Sequence, residues 1–257
     1  MFAALPEPDR RILAGAPLNI VVFQIEFASV TPWAPNSGLK WRAALKERAF
    51  EGKLLGVQQK QISIQMAGGQ PQGETSVRAG HQLLWSEGQS AAIYETAMIL
   101  ESRQYTSWGD YRQNLQRFID AAREVRDPQV LQSTTLRYVN ALSHDDALSA
   151  EFWTDKVNPA FLGPFVSDAL RPYLQKGLYL LSFHDVADLG VELRIGIQPD
   201  AVRPGRVAYV FDMEFVRQEQ EEFNVSTVLE AADRMNTAAL QLFQQVVNED
   251  YRAYLAK

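Results

Sequence analysis

Residues 107–122 read Ser-Trp-Gly-Asp-Tyr-Arg-Gln-Asn-Leu-Gln-Arg-Phe-Ile-Asp-Ala-Ala, and this stretch decides the fold class. Its apolar residues recur at spacings of three, four and seven, which predicts an amphipathic α-helix with one buried face. Ser107 is the predicted N-cap, and Asp110 follows it three residues later. The Asp127-Pro128 pair closes the segment, so a long helix separates the two halves of the chain.

Runs rich in β-branched and aromatic residues lie on both sides of this helix and predict strands. A short helix is predicted over 39–51, ended by Gly52. Residues 57–79 predict an exposed strand and then a flexible loop at 68–73. Short helices broken by prolines are predicted within 150–175. The predicted strands cover 19–30, 81–87, 91–105, 131–142, 177–183, 189–197 and 206–216.

A second long helix is predicted from Thr227 to about Asn248, where Thr227 and Glu230 fit a capping box. Each half of the chain thus contains a strand, a helical segment, several strands and a long amphipathic helix, with a period of about 120 residues. The predicted fold class is α+β. It has two similar halves, each an antiparallel sheet packed on one long helix in a helix-grip-like, pseudo-duplicated arrangement.

The two halves are expected to form one structural unit over 1–257, because no linker stands out between them. The first half covers 18–127 and the second covers 128–257. Residues 1–17 contain three prolines and predict an extended N-terminal arm. Two such halves can place their sheets edge to edge. That arrangement gives one broad curved sheet, with the helices on one face and an open face on the other.

Composition narrows the classes of function. The 257 residues include 25 Lys+Arg and 31 Asp+Glu, a formal net charge of −6, which argues against a nucleic-acid partner. The chain has no cysteine, which excludes disulfide scaffolds, thiolate metal sites and a cysteine nucleophile. Residues 1–11 lack the basic start and apolar core of a signal peptide, and no apolar run reaches roughly 18–20 residues. A cytoplasmic protein without a membrane partner is expected.

Three short motifs resemble a sporadically distributed family of uncharacterised bacterial proteins of about this length. They are the Ala-Pro-Leu opening of the strand at 16–27, the Tyr-x-x-Trp start of the helix at 105–111, and Leu-Arg-Tyr-x-Asn at 136–140. The family often has a glycine where this chain has Thr135. The resemblance implies a common fold and no particular reaction. Sporadic distribution is typical of accessory or defence-related genes.

The third motif supplies the main candidate binding residues. Alternation along a strand puts Arg137 on one face and Tyr138 and Asn140 on the other. One interpretation is structural: Arg137 pairs with a carboxylate such as Glu26 or Glu214 on an adjacent strand, and Asn140 binds backbone at the strand end. The other is functional: Arg137 faces a groove and binds an anion or an acidic side chain.

Histidine and aspartate residues form weak candidate metal or acid–base sites. His144 and Asp146 lie just after the strand at 131–142, and His184 and Asp188 lie in a strand connection. Their spacing matches no metal motif, and turns select such residues for local backbone bonding. His81 starts another predicted strand. No cofactor and no metal are predicted.

Paired carboxylates are a further candidate. Asp212 and Glu214 share one strand face, and Glu192 and Arg194 share another, so they could line a polar tunnel as in triphosphate-binding barrels. Such barrels carry Glu-x-Glu-x-Lys near the first strand, whereas residues 24–28 match only one of these three positions. The alternative is the solvated face of an antiparallel sheet. Residues 218–222 predict a solvated turn, or an acidic surface for a basic partner.

Two hypotheses of different class follow. The first is a non-catalytic protein-interaction module of an accessory or defence-type system, which binds a partner through its sheet surface. The second is a small-ligand-binding protein or enzyme with a pocket between sheet and helix. A pocket above roughly 300 Å³ with convergent polar groups would favour the second. Hydrolase chemistry would require His144 and His184 to meet, and an exposed sheet edge would allow a homodimer. The tryptophans that could line a pocket are Trp33, Trp41, Trp85, Trp108 and Trp153.

Overall fold

The computed structural model describes residues 5–11, 13–29, 34, 36–67, 70–167, 169, 174, 176–184 and 189–256. Within these ranges the protein is α+β, with one nine-stranded antiparallel sheet and four α-helices. None of the described helices combines the length and the apolar character that a membrane span needs.

The sheet has the spatial order β2-β3-β4-β5-β1-β6-β9-β8-β7. The two central strands, β1 and β6, pair antiparallel over most of their length, with Val22 opposite Arg137 and Val21 opposite Tyr138. The strands are β1 (Leu18–Ser29), β2 (Lys53–Ala67), β3 (Gln70–Ser86), β4 (Gln89–Tyr94), β5 (Ala97–Ser102), β6 (Pro128–Leu142), β7 (Gly177–His184), β8 (Leu189–Pro199) and β9 (Val207–Glu222).

The helices are α1 (Ser37–Glu47), α2 (Trp108–Arg123), α3 (Val225–Val246) and α4 (Glu249–Leu255). Helix α1 packs on β2 and β3, α2 packs on β5, and α3 packs on β6 and β9. Their buried residues join one side of the central strands in a single hydrophobic cluster. Strand β1 shows why: Val21, Phe23, Ile25 and Phe27 are fully buried, while the residues between them are half-exposed.

Several predicted boundaries are confirmed. Strand β1 falls where the alternating run predicts it, and Ser107 caps α2 by accepting a hydrogen bond from the amide of Asp110 at 3.1 Å. The proline-rich region after β6 forms three short 3₁₀ helices, at Ala150–Trp153, Pro159–Phe161 and Gly163–Val166.

Other predictions are wrong. The predicted loop at 68–73 is part of a long hairpin from residue 70 onward, because β3 pairs with β2 from Gln70 on; residues 68–69 lie outside the described ranges. The single predicted strand at 91–105 is two strands that turn at Glu95 and Thr96. The predicted turn at 218–222 is the end of β9, which pairs with the start of β6.

The start of α3 also differs from the prediction. The helix begins at Val225, and Asn224 caps it by accepting a hydrogen bond from the amide of Ser226 at 2.8 Å. Asn224 is therefore the N-cap of α3, a role that the sequence predicted for Thr227. The helix ends at Val246, and α4 follows it after a break in direction.

Residues 5–17 form no helix or strand among the described positions and run along α3 toward β1. Gln244 holds this arm from both sides, since its Oε1 accepts from the amide of Asp9 at 3.1 Å and its Nε2 donates to the carbonyl of Asp9 at 2.6 Å. The amide of Gly15 donates to the carbonyl of Leu255 at 2.8 Å. The arm is thus bound to α3 and α4 through its backbone.

The end of α1 generates a stability prediction. Ala49 is exposed and has a φ of 65°. This left-handed conformation is unfavourable for residues with a Cβ and is adopted freely by glycine. We expect Ala49→Gly to raise the free energy of unfolding by about 1 kcal/mol in urea denaturation. Ala43→Gly in the exposed middle of α1 is the control and should lower it by about 1 kcal/mol. A loss of stability in both variants would contradict the argument.

Candidate functional site

A cavity of about 660 Å³ lies between the helix-bearing face of the sheet, the start of α2, the side of α3 and the N-terminal arm. Its lining comes from the arm and the start of β1, the start of α2, the strands β6 and β9, and helix α3. The lining residues are Arg10, Arg11, Leu13, Ala14, Ala16, Pro17 and Leu18; Tyr105, Thr106, Ser107 and Trp108; Tyr138, Asn140 and Met213; and Asn236, Ala239, Leu240 and Phe243.

The floor of the cavity is the centre of the sheet. Tyr138 and Asn140 are two residues apart on β6, so their side chains leave the same face of the strand. The register sets Leu18 of β1 opposite Asn140 and Met213 of β9 opposite Tyr138. Because β1 and β6 are the middle strands, the cavity lies over the junction of the two halves of the chain.

Helix α3 provides one wall. Asn236, Ala239, Leu240 and Phe243 follow the spacing of three and four that brings side chains to one face of a helix. Ala239 lies between larger neighbours, and its small side chain leaves room in front of the sheet. The face that α3 turns to the cavity is therefore mixed, with one amide among apolar groups.

The start of α2 provides the opposite wall, and Asp233 of α3 holds it in place. The indole Nε1 of Trp108 donates to Asp233 Oδ1 at 2.7 Å. The Nε of Arg112 donates to both oxygens of the same carboxylate at 2.9 Å. These three hydrogen bonds fix the separation of α2 and α3 beside the cavity.

A buried polar cluster lies at the floor. Tyr138 Oη donates to Asn236 Oδ1 at 2.8 Å, and Asn140 Nδ2 donates to the carbonyl of Phe211 at 3.4 Å. Asn140 is 4% exposed and Asn236 is 8% exposed. Among the hydrogen bonds of the described residues, Asn236 Nδ2 has no acceptor and Asn140 Oδ1 has no donor. One amide donor and one carbonyl acceptor are thus left for a molecule in the cavity.

The tyrosines of the cavity remain neutral. Burial raises the pKa of Tyr105 to about 12, and burial also raises the pKa of Tyr138 well above its ordinary value. The two rings are 6.1 Å apart in an edge-to-face arrangement. Neutral phenols act as hydrogen-bonding groups at physiological pH and do not act as general bases.

The structure separates the predicted binding residues into two groups. Tyr138 and Asn140 belong to the cavity, whereas Arg137, Glu26 and Glu214 lie on the opposite face of the sheet, on which none of the described helices packs. The five residues therefore do not form one site. The alternation of β6 predicts this division.

Arg137 pairs with a carboxylate that the sequence did not select for it. Its Nε and Nη2 donate to the two oxygens of Asp212 at 2.8 and 2.6 Å. Glu214 lies directly opposite Arg137 in the register but accepts from Arg194 Nη1 at 2.8 Å. Glu26 binds Arg78 on β3 at 3.2 Å.

These charges form a ladder across the open face. Arg194 joins Glu192 at 2.6 Å and Glu214 at 2.8 Å, and it also lies 3.5 Å from Asp212. Asp212 and Glu214 of β9 thus share one face of the sheet with Glu192 and Arg194 of β8. Since each arginine already has carboxylate partners, the ladder is a satisfied network on a solvated sheet face.

The histidines lie apart. His184 ends β7 and, through the strand registers, is level with Thr135 of β6. His144 follows the far end of β6, and the stretch from Thr135 to Leu142 alone spans about 23 Å at the usual rise per residue. Asp188 lies outside the described residues. The hydrolase hypothesis needed both histidines at one point, and this separation removes its basis.

Each described histidine has a local environment of its own. The ring of His144 lies 4.7 Å from that of Phe152 and 5.1 Å from that of Tyr254, and its Nδ1 accepts from the amide of Asp146 at 3.1 Å. Burial lowers the pKa of His81, which packs against α1. Among the described residues, no group of three or more His, Cys, Asp or Glu side chains is placed to hold a metal ion.

Of the four tryptophans in the described part of the chain, only Trp108 is among the residues that line the cavity. Trp41 and Trp153 are fully buried in the hydrophobic core, and Trp85 packs against that core at its edge. Trp33 lies outside the described residues. Trp41, Trp85 and Trp153 therefore contribute to packing, and the polar residues of the cavity are what indicates a binding site.

Glu219 is a buried carboxyl that sequence analysis missed. Its side chain is 2% exposed, and Arg217 Nη1 lies 2.8 Å from its Oε1. Its Oε2 has no hydrogen-bond partner within the described part of the chain. Burial is the main cause that raises the pKa of Glu219 to about 7, and Glu221 adds to it. The misassigned turn at 218–222 hid this residue.

Comparison with known proteins gives no family. No family model matches the chain, and no curated protein matches its sequence. Among solved structures, the RNA triphosphatase Pct1 of S. pombe aligns over 93% of this chain and 85% of its own, with 9% identity and a TM-score of 0.14. A similarity at that level carries no argument about fold or activity.

The buried phenol of the cavity generates one prediction. Tyr138→Phe removes the donor to Asn236 and leaves a buried amide oxygen without its partner. We expect the free energy of unfolding to fall by about 1–2 kcal/mol, measured in urea. Tyr94→Phe is the matched control, because Tyr94 is also buried but its hydroxyl makes no hydrogen bond with another described residue. The free energy of unfolding of Tyr94→Phe should fall by less than about 0.5 kcal/mol. Equal losses in the two variants would refute the role of the Tyr138 hydrogen bond.

Glu219 generates a prediction about pH. Its pKa is about 7 in the folded protein and 4.5 in its reference state, so between these values the native state holds a proton that the unfolded chain has lost. Stability should therefore fall as pH rises through this window, by up to about 3 kcal/mol. Glu219→Gln should flatten this dependence in urea titrations at pH 5 and pH 8, whereas Glu222→Gln, at an exposed position of the same strand, should not. An unchanged slope in Glu219→Gln would exclude this assignment.

Proposed function

We propose that this protein binds a small molecule in the cavity between the sheet, α2, α3 and the N-terminal arm. The single observation that carries the proposal is the pair of asparagines on the cavity floor, each of which has one amide atom without a hydrogen-bond partner among the described residues. Asn140 and Asn236 lie in a cavity of about 660 Å³, whose volume is in the range typical of ligand sites.

Binding without turnover fits the lining better than catalysis does. Among the described lining residues there is no histidine, aspartate or glutamate, and the two tyrosines are neutral. General acid–base or nucleophilic chemistry needs a group whose pKa is close to physiological pH or an activated nucleophile. The side chains present can orient a ligand through hydrogen bonds and apolar contact. We therefore place this protein among binding proteins.

A protein partner on the sheet surface is the second candidate. Leu178 and Leu180 of the edge strand β7 are 67% and 54% exposed, an apolar pair beside the ionic ladder. An edge strand with exposed leucines favours β-strand addition by a partner or by a second copy of the chain. Such docking would use the opposite face of the sheet from the cavity, so both functions could coexist.

We also propose that the two halves of the chain are a pseudo-duplication of one sheet-and-helix unit. Outward from β1 the sheet continues with β5, β4 and β3, and outward from β6 it continues with β9, β8 and β7. Each half then ends in a long helix, α2 or α3. This order supports an internal duplication whose halves meet at the cavity floor. Membership of the sporadic bacterial family and a cytoplasmic location are part of the proposal as well.

The test uses N-phenyl-1-naphthylamine, a neutral aromatic dye whose fluorescence rises in apolar sites. We expect saturable binding of one dye per chain, together with an increase in Tm as dye concentration rises. Ala239→Phe fills the cavity from α3 and should weaken dye binding at least tenfold. Ala43→Phe, at an exposed position of α1, is the control and should bind as the wild type does.

Leu240→Trp gives a second way to fill the cavity, from a half-buried position that tolerates a larger side chain. Circular dichroism and thermal unfolding show whether each variant is folded. The proposal fails if the wild type does not bind the dye, or if folded Ala239→Phe and Leu240→Trp bind it as well as Ala43→Phe does. Light scattering tests docking at β7 separately. If a second copy of the chain docks there, the measured mass should rise with concentration in the wild type and not in Leu180→Asp.

A further inference from the structure

We propose that the ligand of the cavity is an aromatic anion: a flat ring system that carries one carboxylate or phosphate group and enters with its charge toward Arg10. This inference rests on the proposed function and names the class of ligand. It combines three independent features of the lining, namely the aromatic and aliphatic walls, the unpaired amide groups of the floor, and an arginine at the rim.

The walls suit a flat ring. Tyr105 and Trp108 stand on the side of α2, and Leu240 and Phe243 stand on the side of α3. Aromatic side chains hold other rings through stacked and edge-to-face contacts, and aliphatic ones exclude water from the ring faces. A cavity of about 660 Å³ accepts a ring system of two or three fused or linked rings.

The floor supplies directed hydrogen bonds. Asn236 Nδ2 can donate to a ring substituent, and Asn140 Oδ1 can accept from one. Both side chains are largely buried, but neither of these two atoms is sealed from solvent, so water reaches them until a ligand takes its place. A ring that carries one acceptor and one donor at its edge would satisfy both.

The rim supplies the charge. Arg10 is one of the lining residues, and its Nη2 donates to Thr237 Oγ1 of α3 at 3.2 Å. Among the described residues Arg10 has no carboxylate partner. A guanidinium that is fixed on one side by a hydrogen bond has further N–H groups for an anion.

The other arginines beside the cavity are already paired with carboxylates, since Arg11 binds Asp9 and Arg112 binds Asp233. The carboxylate of Asp110 accepts from the hydroxyls of Thr106 and Ser107 and keeps its negative charge. The described lining contains no carboxylate that would repel an anion. Arg10 is therefore the group that selects the charge of the ligand.

The test compares two dyes that share one ring system. 8-Anilinonaphthalene-1-sulfonate carries an anionic group, and N-phenyl-1-naphthylamine is its neutral counterpart. Arg10→Gln should weaken binding of the anionic dye about tenfold and change binding of the neutral dye less than about twofold. Arg10→Lys should restore much of the affinity for the anionic dye. Arg234→Gln, at an exposed arginine of α3 outside the lining, controls for net charge and should leave both affinities unchanged.

Competition then identifies the source of the charge. Displacement of the bound anionic dye by 1-naphthoate supports an aromatic carboxylate, and displacement by adenosine monophosphate supports a nucleotide phosphate. Methyl 1-naphthoate, which is neutral, should compete at least tenfold more weakly than 1-naphthoate. If the ester competes equally well, or if neither anion displaces the dye, the inference is overturned.

The failure of this inference differs from the failure of the proposed function. If the neutral dye binds, Ala239→Phe abolishes its binding, and Arg10→Gln weakens both dyes equally or neither, the cavity binds ligands but does not select anions. If neither dye binds the wild type, the proposed function itself fails. A loss of anionic dye in Arg234→Gln as large as in Arg10→Gln would also overturn the inference, because net charge alone would then explain it.

Discussion

The antiparallel pairing of β1 with β6 is the constraint on which the rest of the structure depends. It joins the strands of residues 18–127 to those of 128–257 in one sheet and sets Val21 opposite Tyr138 and Val22 opposite Arg137. A slip of one residue in β6 would exchange the two faces, which would put an arginine against the helices and a tyrosine in solvent. The buried alternation of β1, from Val21 to Phe27, opposes such a slip because it would cost the burial of large apolar groups on both strands.

That register gives each face its own chemistry. The covered face holds the apolar cluster and, at its centre, a few uncharged polar groups, whereas the open face holds the ion pairs of Arg137 and Arg194. Charges on the covered face would lose their hydration, so they are costly there unless they are paired. On the open face water reaches most of these charges, and the pairs that it reaches contribute little to stability. Asp212 is the exception, because it is buried and two arginines surround it.

The sequence predicts the parts of this fold that follow from local periodicity. Helix α2, its Ser107 cap and strand β1 are marked by repeats of three-to-four and of two, and both patterns survive in the structure. Prediction from the sequence fails where pairing with a distant strand overrides the preference of the local composition. Residues 70–73 look like a loop because of their glycine and proline, yet β2 supplies a partner strand for them. The charged end of β9 looks like a turn, yet β6 extends to pair with it.

The candidate site shows the same limit. The alternation of side chains along residues 136–140 places Tyr138 and Asn140 on one face and Arg137 on the other, so this division is predictable from the sequence. Helix α3, the start of α2 and the arm reach the same point only through the order of the strands and the hydrogen bonds of Asp233, so no spacing in the sequence predicts Asn236 or Arg10 as their neighbours. The partner of Arg137 is equally non-local: Glu214 lies directly opposite it, but Arg194 on the next strand takes that carboxylate and leaves Asp212.

The cavity itself is costly for stability. A core of this size could fill the space in front of β6 by a larger side chain at Ala239, with a gain from apolar burial and from the loss of a void. Asn140 and Asn236 each leave one amide atom without a protein partner, and both of these atoms reach the solvent of the cavity. Proteins retain such combinations of empty volume and unsatisfied polar groups where a ligand completes them, since function then offsets the lost stability. The cavity is therefore a stronger candidate for function than the paired charges on the other face of the sheet.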